Sequence, residues 1–163
     1  MNLLSLDIAA NFGEGCQPRS SALVLSDGFD QLDKHSAVQF YGGKTWSDVL
    51  EHLRSLGDEP VFGAAYYLEE WSVLSKEALP YYLRAHLEFM IETLSSPQPD
   101  EDFLSLFFHQ LYQVIFMHKG SPFNTVQTVL LQRIASSVAE NANDHYVEPE
   151  VLRFLAELRT HDS

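Results

Sequence analysis

From residue 45 onward the apolar positions recur at helical spacing. Trp46, Val49, Leu50 and Leu53 fall at i, i+3, i+4 and i+7, one stripe of an amphipathic helix, while Asp48, Glu51, His52 and Arg54 face away. Thr45 is placed to cap its N-terminus and Asp48 to meet the helix dipole in the first turn. Gly57 and the turn at 58–60 close it. A second helix over about 64–74 carries Tyr67, Leu68, Trp71 and Leu74 on one side. Ser75 opens a third, with Pro80 in its first turn, where a missing N–H costs nothing. That helix runs to about Leu94. Arg84, Glu88 and Glu92 mark its wet face, and His86 lies near the middle of the opposite face among Tyr82, Leu83, Phe89 and Met90.

Residues 95–100, Ser-Ser-Pro-Gln-Pro-Asp, read as a linker. The next helix, about 102–118, is apolar nearly all round, with only Ser105, His109 and Gln113 as a polar ridge. Such a helix belongs at the centre of a bundle. After Gly120 and Pro122, Asn124 and Gln127 form a capping-box pair, and Val126, Val129, Leu130 and Ile134 give the packed stripe of the following helix. Pro149 opens a last helix with Val151, Leu152, Leu155 and Leu158 facing inward. Residues 1–44 are an irregular lead-in, in which 22–25, with Phe29 and Leu32, could be a short strand or a loose helix and 37–41 a short strand, so a small strand element before residue 45 is possible. The expectation is an all-α, single-domain bundle of five or six helices over residues 1–163. Its acidic helical half is 45–94 and its apolar helical half 102–159.

Charge is distributed against this apolar pattern. Residues 103–139 contain no acid, whereas 48–102 hold twelve acids and three bases, within a chain of net charge −13. Ten scattered basic residues argue against nucleic-acid binding and against an anionic membrane surface. A basic protein partner fits the field, which would speed encounter at low salt. The apolar run 103–117 is short for a bilayer and contains His109, Gln110 and Gln113. The N-terminus lacks the basic region of a signal peptide and has Asp7 within its apolar run, so a cytoplasmic location is expected. Cys16, the only cysteine, rules out an intrachain disulfide.

Few residues carry a recognisable chemistry. Gly43-Lys44-Thr45 ends like a phosphate-binding loop, but Val38 stands where the first glycine is required and Gln39, Phe40 and Tyr41 are bulky where amides must wrap a phosphate. A tight turn into a capped helix accounts for the same residues. His86-Leu87-Glu88 has the H-x-E spacing of zinc deaminases without the cysteine ligands, and residues two apart on a helix diverge. No cofactor, metal or catalytic residue is therefore expected. A histidine central to an apolar face needs a hydrogen bond to a backbone carbonyl or a tyrosine, or stays neutral. Glu69, Glu70 and Trp71, after Tyr66 and Tyr67, combine acids with large rings as recognition surfaces do, and form the candidate partner-binding site.

Three blocks line up beyond local pattern. Thr45-Trp46 opens a helix; Ser75-Lys76-Glu77-Ala78-Leu79-Pro80-Tyr81-Tyr82-Leu83 follows; and Phe123-Asn124-Thr125-Val126-Gln127 opens a late helix. Together, over about residues 40–140, they resemble a family of small bacterial proteins of unknown function. Arg84 stands where that pattern has proline and His86 where it has phenylalanine, which makes the family-like residue at 86 plain core. The resemblance implies no activity.

The sequence thus favours a non-enzymatic, cytosolic protein-binding module, an immunity or inhibitor protein being the concrete version, acting through an acidic, aromatic surface. The alternative is a small enzyme with an interhelical site using His86 or His109. A homo-oligomer sharing the apolar surface of the central helix is the third option.

Overall fold

The computed structural model describes residues 3–25, 31–56, 63–97, 101–117 and 121–141. Six α-helices account for most of them: α1 (Leu3–Asn11), α2 (Gln31–Tyr41), α3 (Trp46–Leu56), α4 (Ala78–Leu94), α5 (Glu101–Met117) and α6 (Thr125–Asn141). A ten-residue 3-10 helix, Ala64–Val73, stands between α3 and α4, and a 3-10 turn covers Ser20–Ala22. The expected all-α bundle is what forms. Among the described residues there is no strand, only an isolated antiparallel bridge between Val24 and Leu74. The helix expected from Pro149 lies outside the described residues, as does Gly57.

The lead-in is a correction. Residues 1–44 contain two helices, and 37–41, one of the strand candidates, is the last turn and a half of α2. The tightness of the turn that follows explains the Gly-Gly pair. Gly43 takes a left-handed backbone, φ +72°, and Lys44 folds back so that its ammonium donates to the Phe40 carbonyl at 2.6 Å and lies 5.1 Å from the Phe40 ring centre. This is the turn alternative to a phosphate loop.

Helix ends follow the chemistry of their residues. The Thr45 hydroxyl accepts from the Asp48 N–H at 3.2 Å, and the Asp48 carboxylate accepts from the Thr45 N–H at 2.8 Å and from its hydroxyl at 2.7 Å. Those bonds hold the Asp48 carboxyl below its usual range. Ser75 caps α4, accepting from the Ala78 N–H at 3.1 Å, while its own hydroxyl donates to the Ala22 carbonyl at 2.7 Å. Asn124 and Gln127 exchange the reciprocal bonds of a capping box at 2.9 and 3.1 Å. Gln127 also donates to the Asn11 carbonyl at 2.8 Å, tying α6 to the end of α1.

Packing is layered around α4 and α5. α5 lies against the 3-10 helix, α2 against the same element, α3 along α4, and α1 across α4 and α6. The central position expected for α5 holds: Phe103, Leu104, Phe107, Phe108, Leu111, Val114 and Ile115 are buried, with Leu106 partly so. The stripe assigned to α6 shifts. Leu130, Leu131, Ile134, Ala135 and Val138 are buried, but Val126 and Val129 are 59% and 38% exposed.

Arg84 docks α1 onto α4. Its guanidinium lies 3.7 Å from the centre of the Trp46 ring and at 3.5 Å from the carbonyls of Ala9 and Phe12. Gly13 makes room for it. A Cβ there would stand 2.5 Å from Arg84 Cδ and 3.0 Å from Trp46 Cδ1, on a backbone with φ +73°. Gly13→Ala is therefore expected to cost about 2 kcal/mol or more, from left-handed backbone strain plus loss of the stacked arginine. Gly15→Ala is the control, since Gly15 has φ +99° but nothing within 4 Å of an added Cβ. Urea denaturation of the two variants should separate strain from clash. Equal losses would show that the Arg84–Trp46 stack contributes little.

Candidate functional site

The strongest concentration of polar chemistry is internal. Tyr41 from the end of α2, Glu70 and Trp71 from the 3-10 helix, and Tyr82 and His86 from α4 are all buried, with Phe103 and Phe107 of α5 closing the far side. Tyr82 and His86 are one helical turn apart, so both point the same way. The 3-10 period of three explains Trp71: Leu68, Trp71 and Leu74 are spaced by three and are all fully buried.

His86 Nε2 shares a 2.9 Å hydrogen bond with the Tyr41 hydroxyl, the tyrosine alternative expected for a core histidine. The Trp71 ring meets the imidazole edge-on at 5.0 Å between centres, and Phe103 stacks parallel at 6.5 Å. Nδ1 is buried without a hydrogen-bond partner. Burial alone drives the imidazole pKa from 6.5 down to about 3, so His86 is neutral near pH 7. Burial also raises the Tyr41 phenol well above its ordinary value, helped by the Glu70 carboxylate and Tyr82. The Trp71 indole N–H lies close enough to favour the phenolate, but makes no hydrogen bond of normal geometry. The Tyr82 hydroxyl sits 2.8 Å from the Lys44 carbonyl and 3.1 Å from that of Tyr41, binding the α2–α3 turn to α4. Burial, with Tyr81 adding, pushes its phenol up to about 12.

This cluster ties α2, the 3-10 helix and α4 together. His86 has no exposed surface and its base strength is suppressed. Two of the three residues of the expected partner site at Glu69, Glu70 and Trp71 are buried. Glu70 is 5% exposed and Trp71 not at all, because the 3-10 helix is covered by both α2 and α5. Glu69 is on the same element, its side chain outside the described residues. His109 is partly buried on α5. Glu88 turns away from His86 and approaches Arg84 at 3.9 Å. Cys16 is exposed. Among the described residues no group of three or more His, Cys, Asp or Glu side chains is placed to hold a metal, and no helix is long and apolar enough to cross a membrane.

The outer surface is where charge accumulates. Glu51 on α3 and Glu92 on α4 are exposed around Arg54, which bonds to both, and Asp48 is exposed at the start of α3. Those two carboxylates hold the guanidinium pKa above its ordinary value. Arg133 pairs with Asp7 at 3.0 Å across α1 and α6. Sequence reasoning offered a tyrosine as one possible partner of His86 but did not find Tyr41. The aromatic run Phe40-Tyr41 beside Gly42-Gly43 was the available signal, once residues 31–41 are read as a helix. No family model, curated protein or solved structure matches this chain.

Proposed function

We propose that the protein is a non-enzymatic binding module for a basic protein partner, an immunity or inhibitor protein being its concrete form. The observation that carries this reading is the chain's net charge of −13 together with exposed acids on α3 and α4. Arg54, Arg84 and Arg133 are each engaged with the chain's own carboxylates, in a molecule of net charge −13. The net charge makes the field outside negative, and Asp48, Glu51 and Glu92 on α3 and the end of α4 are exposed, the two glutamates sharing Arg54. Such a field accelerates encounter with a cationic partner and loses strength with added salt. Trp71 does not anchor the partner in this reading, since it belongs to the core.

The test is affinity capture with the full chain at low and high salt, read by mass spectrometry, followed by association kinetics with whatever is recovered. A basic partner is expected, with an on-rate that falls on the order of tenfold in the Glu51→Lys, Glu92→Lys double variant at low salt. Recovery of neutral or acidic proteins only, or an on-rate indifferent to salt and to the double variant, would overturn the reading.

A further inference from the structure

A second surface carries an inference independent of the proposed partner. A groove of about 320 Å³ lies between α1 and the first half of α6, at the lower end of the volumes that hold small ligands. Its apolar wall is Val126, Val129 and Leu130. Leu130 is buried, while Val126 and Val129, which the helical pattern assigns to the packed stripe, stand open to solvent beside it. Asp7 of α1 and Arg133 of α6 meet at the groove, Nη1 donating to Oδ2 at 3.0 Å, and Thr125 adds a hydroxyl.

We infer that this groove binds a zwitterionic α-amino acid with a branched aliphatic side chain. The ion pair at its edge is incompletely used. Arg133 donates through Nη1 and Asp7 accepts at Oδ2, so among the described residues Nε and Nη2 of the one and Oδ1 of the other have no partner. A ligand carboxylate fits the remaining guanidinium donors, and a ligand ammonium fits the remaining carboxylate oxygen. The two receiving groups are neighbours, as are the carboxylate and ammonium of an α-amino acid, which share one carbon. Both side chains stand partly in solvent, and an exposed pair of this kind contributes little, so sharing it with a ligand costs little. The ligand's aliphatic chain then covers Val126 and Val129 and removes their apolar surface from water.

Charge selects among occupants. Asp7 and Arg133 cancel, and α6 carries no acid from Thr125 to Val138, so the groove is neutral in a chain of net charge −13. A purely anionic ligand meets Asp7 and the opposing field, and a purely cationic one meets Arg133. A second copy brings a net charge of −13 against the first. A zwitterion matches both groups and brings no net charge.

An NMR titration of the isotopically labelled full chain with L-leucine tests this. The expected result is saturable shifts of the amides around Asp7 and from Thr125 to Arg133, with a dissociation constant on the order of 1 mM. Leucinamide lacks the carboxylate, isocaproate lacks the ammonium and glycine lacks the aliphatic chain, and each should bind about tenfold more weakly. Arg133→Gln should weaken leucine about tenfold as well; position 133 is exposed, so the variant should fold. No saturable shift up to about 20 mM leucine, or equal binding of leucine and the two singly charged analogues, would overturn the inference. Shifts of the same amides on raising the protein concentration alone, with a dimer mass in light scattering, would also overturn it and assign the groove to a second copy.

Discussion

Trp71→Ala is expected to destabilise the protein by about 3–5 kcal/mol, a large share of the stability of an ordinary domain. The indole is fully buried, meets Phe107 edge-on at 5.3 Å and His86 at 5.0 Å, and fills the junction where the 3-10 helix lies against α5. Truncation removes both ring contacts and opens a cavity between elements that are otherwise held by few regular hydrogen bonds, since a 3-10 run of this length depends on its packing. Trp71→Phe keeps a ring and forfeits an indole N–H that makes no hydrogen bond of normal geometry, so its cost should be about half as large. Guanidinium denaturation, followed by far-UV circular dichroism, measures both. A Trp71→Ala variant as stable as the parent would return Trp71 to the surface role that its acidic neighbours implied.

The second large effect is acid instability centred on His86. Its imidazole titrates near 3 in the folded chain and near 6.5 when exposed, so protonation favours the unfolded state. The corresponding stability is fully present above pH 6.5 and is lost as pH falls toward 3. With roughly 1.4 kcal/mol per pH unit, the loss from this one group is about 2 kcal/mol by pH 5 and about 4 kcal/mol by pH 3. His86→Phe removes the titration. It also removes the 2.9 Å bond to the Tyr41 hydroxyl, a net 0.5–1.5 kcal/mol in the usual range, and relieves the buried, unpartnered Nδ1. The variant should therefore lie within about 1 kcal/mol of the parent at pH 7 and be the more stable of the two at pH 5. Denaturation midpoints at the two pH values provide the comparison. Parallel pH profiles would mean that His86 is hydrated or already charged in the folded chain.

The two effects converge on one junction for a physical reason. α2, the 3-10 helix, α4 and α5 each contribute large polar-tipped or aromatic side chains to it, Tyr41 of α2 being far in sequence from His86 of α4. A buried network of this kind specifies a unique arrangement only while its members remain hydrogen-bonded or neutral. That accounts for why a histidine can stand where the resembling pattern has phenylalanine: Tyr41 meets one nitrogen, and low pKa keeps the ring uncharged.

Local chemistry determined much of the frame. The stripe from Trp46 to Leu53, the Thr45–Asp48 and Asn124–Gln127 capping pairs, the Ser75 cap with Pro80 in the first turn, and the nearly all-round apolar surface of α5 mark helices whose ends are set within a few residues of their own sequence. The sealed environment of His86 followed from its place on an apolar face, whereas the choice of Tyr41 over a carbonyl as its partner did not. Tertiary structure decided the rest. α2 exposes most of its polar length and buries only Ala37, Phe40, Tyr41 and the stem of Lys34, too sparse a stripe to announce a helix. α1 is apolar on several sides, and is fixed by Arg84, Gln127 and Arg133 from helices far along the chain. The acidic and aromatic residues at 69–71 have the composition of a surface. What decided otherwise for Glu70 and Trp71 was the cover of the 3-10 helix on two sides by α2 and α5. Burial depends on what other elements place against a side chain, and no pattern confined to ten residues contains that information.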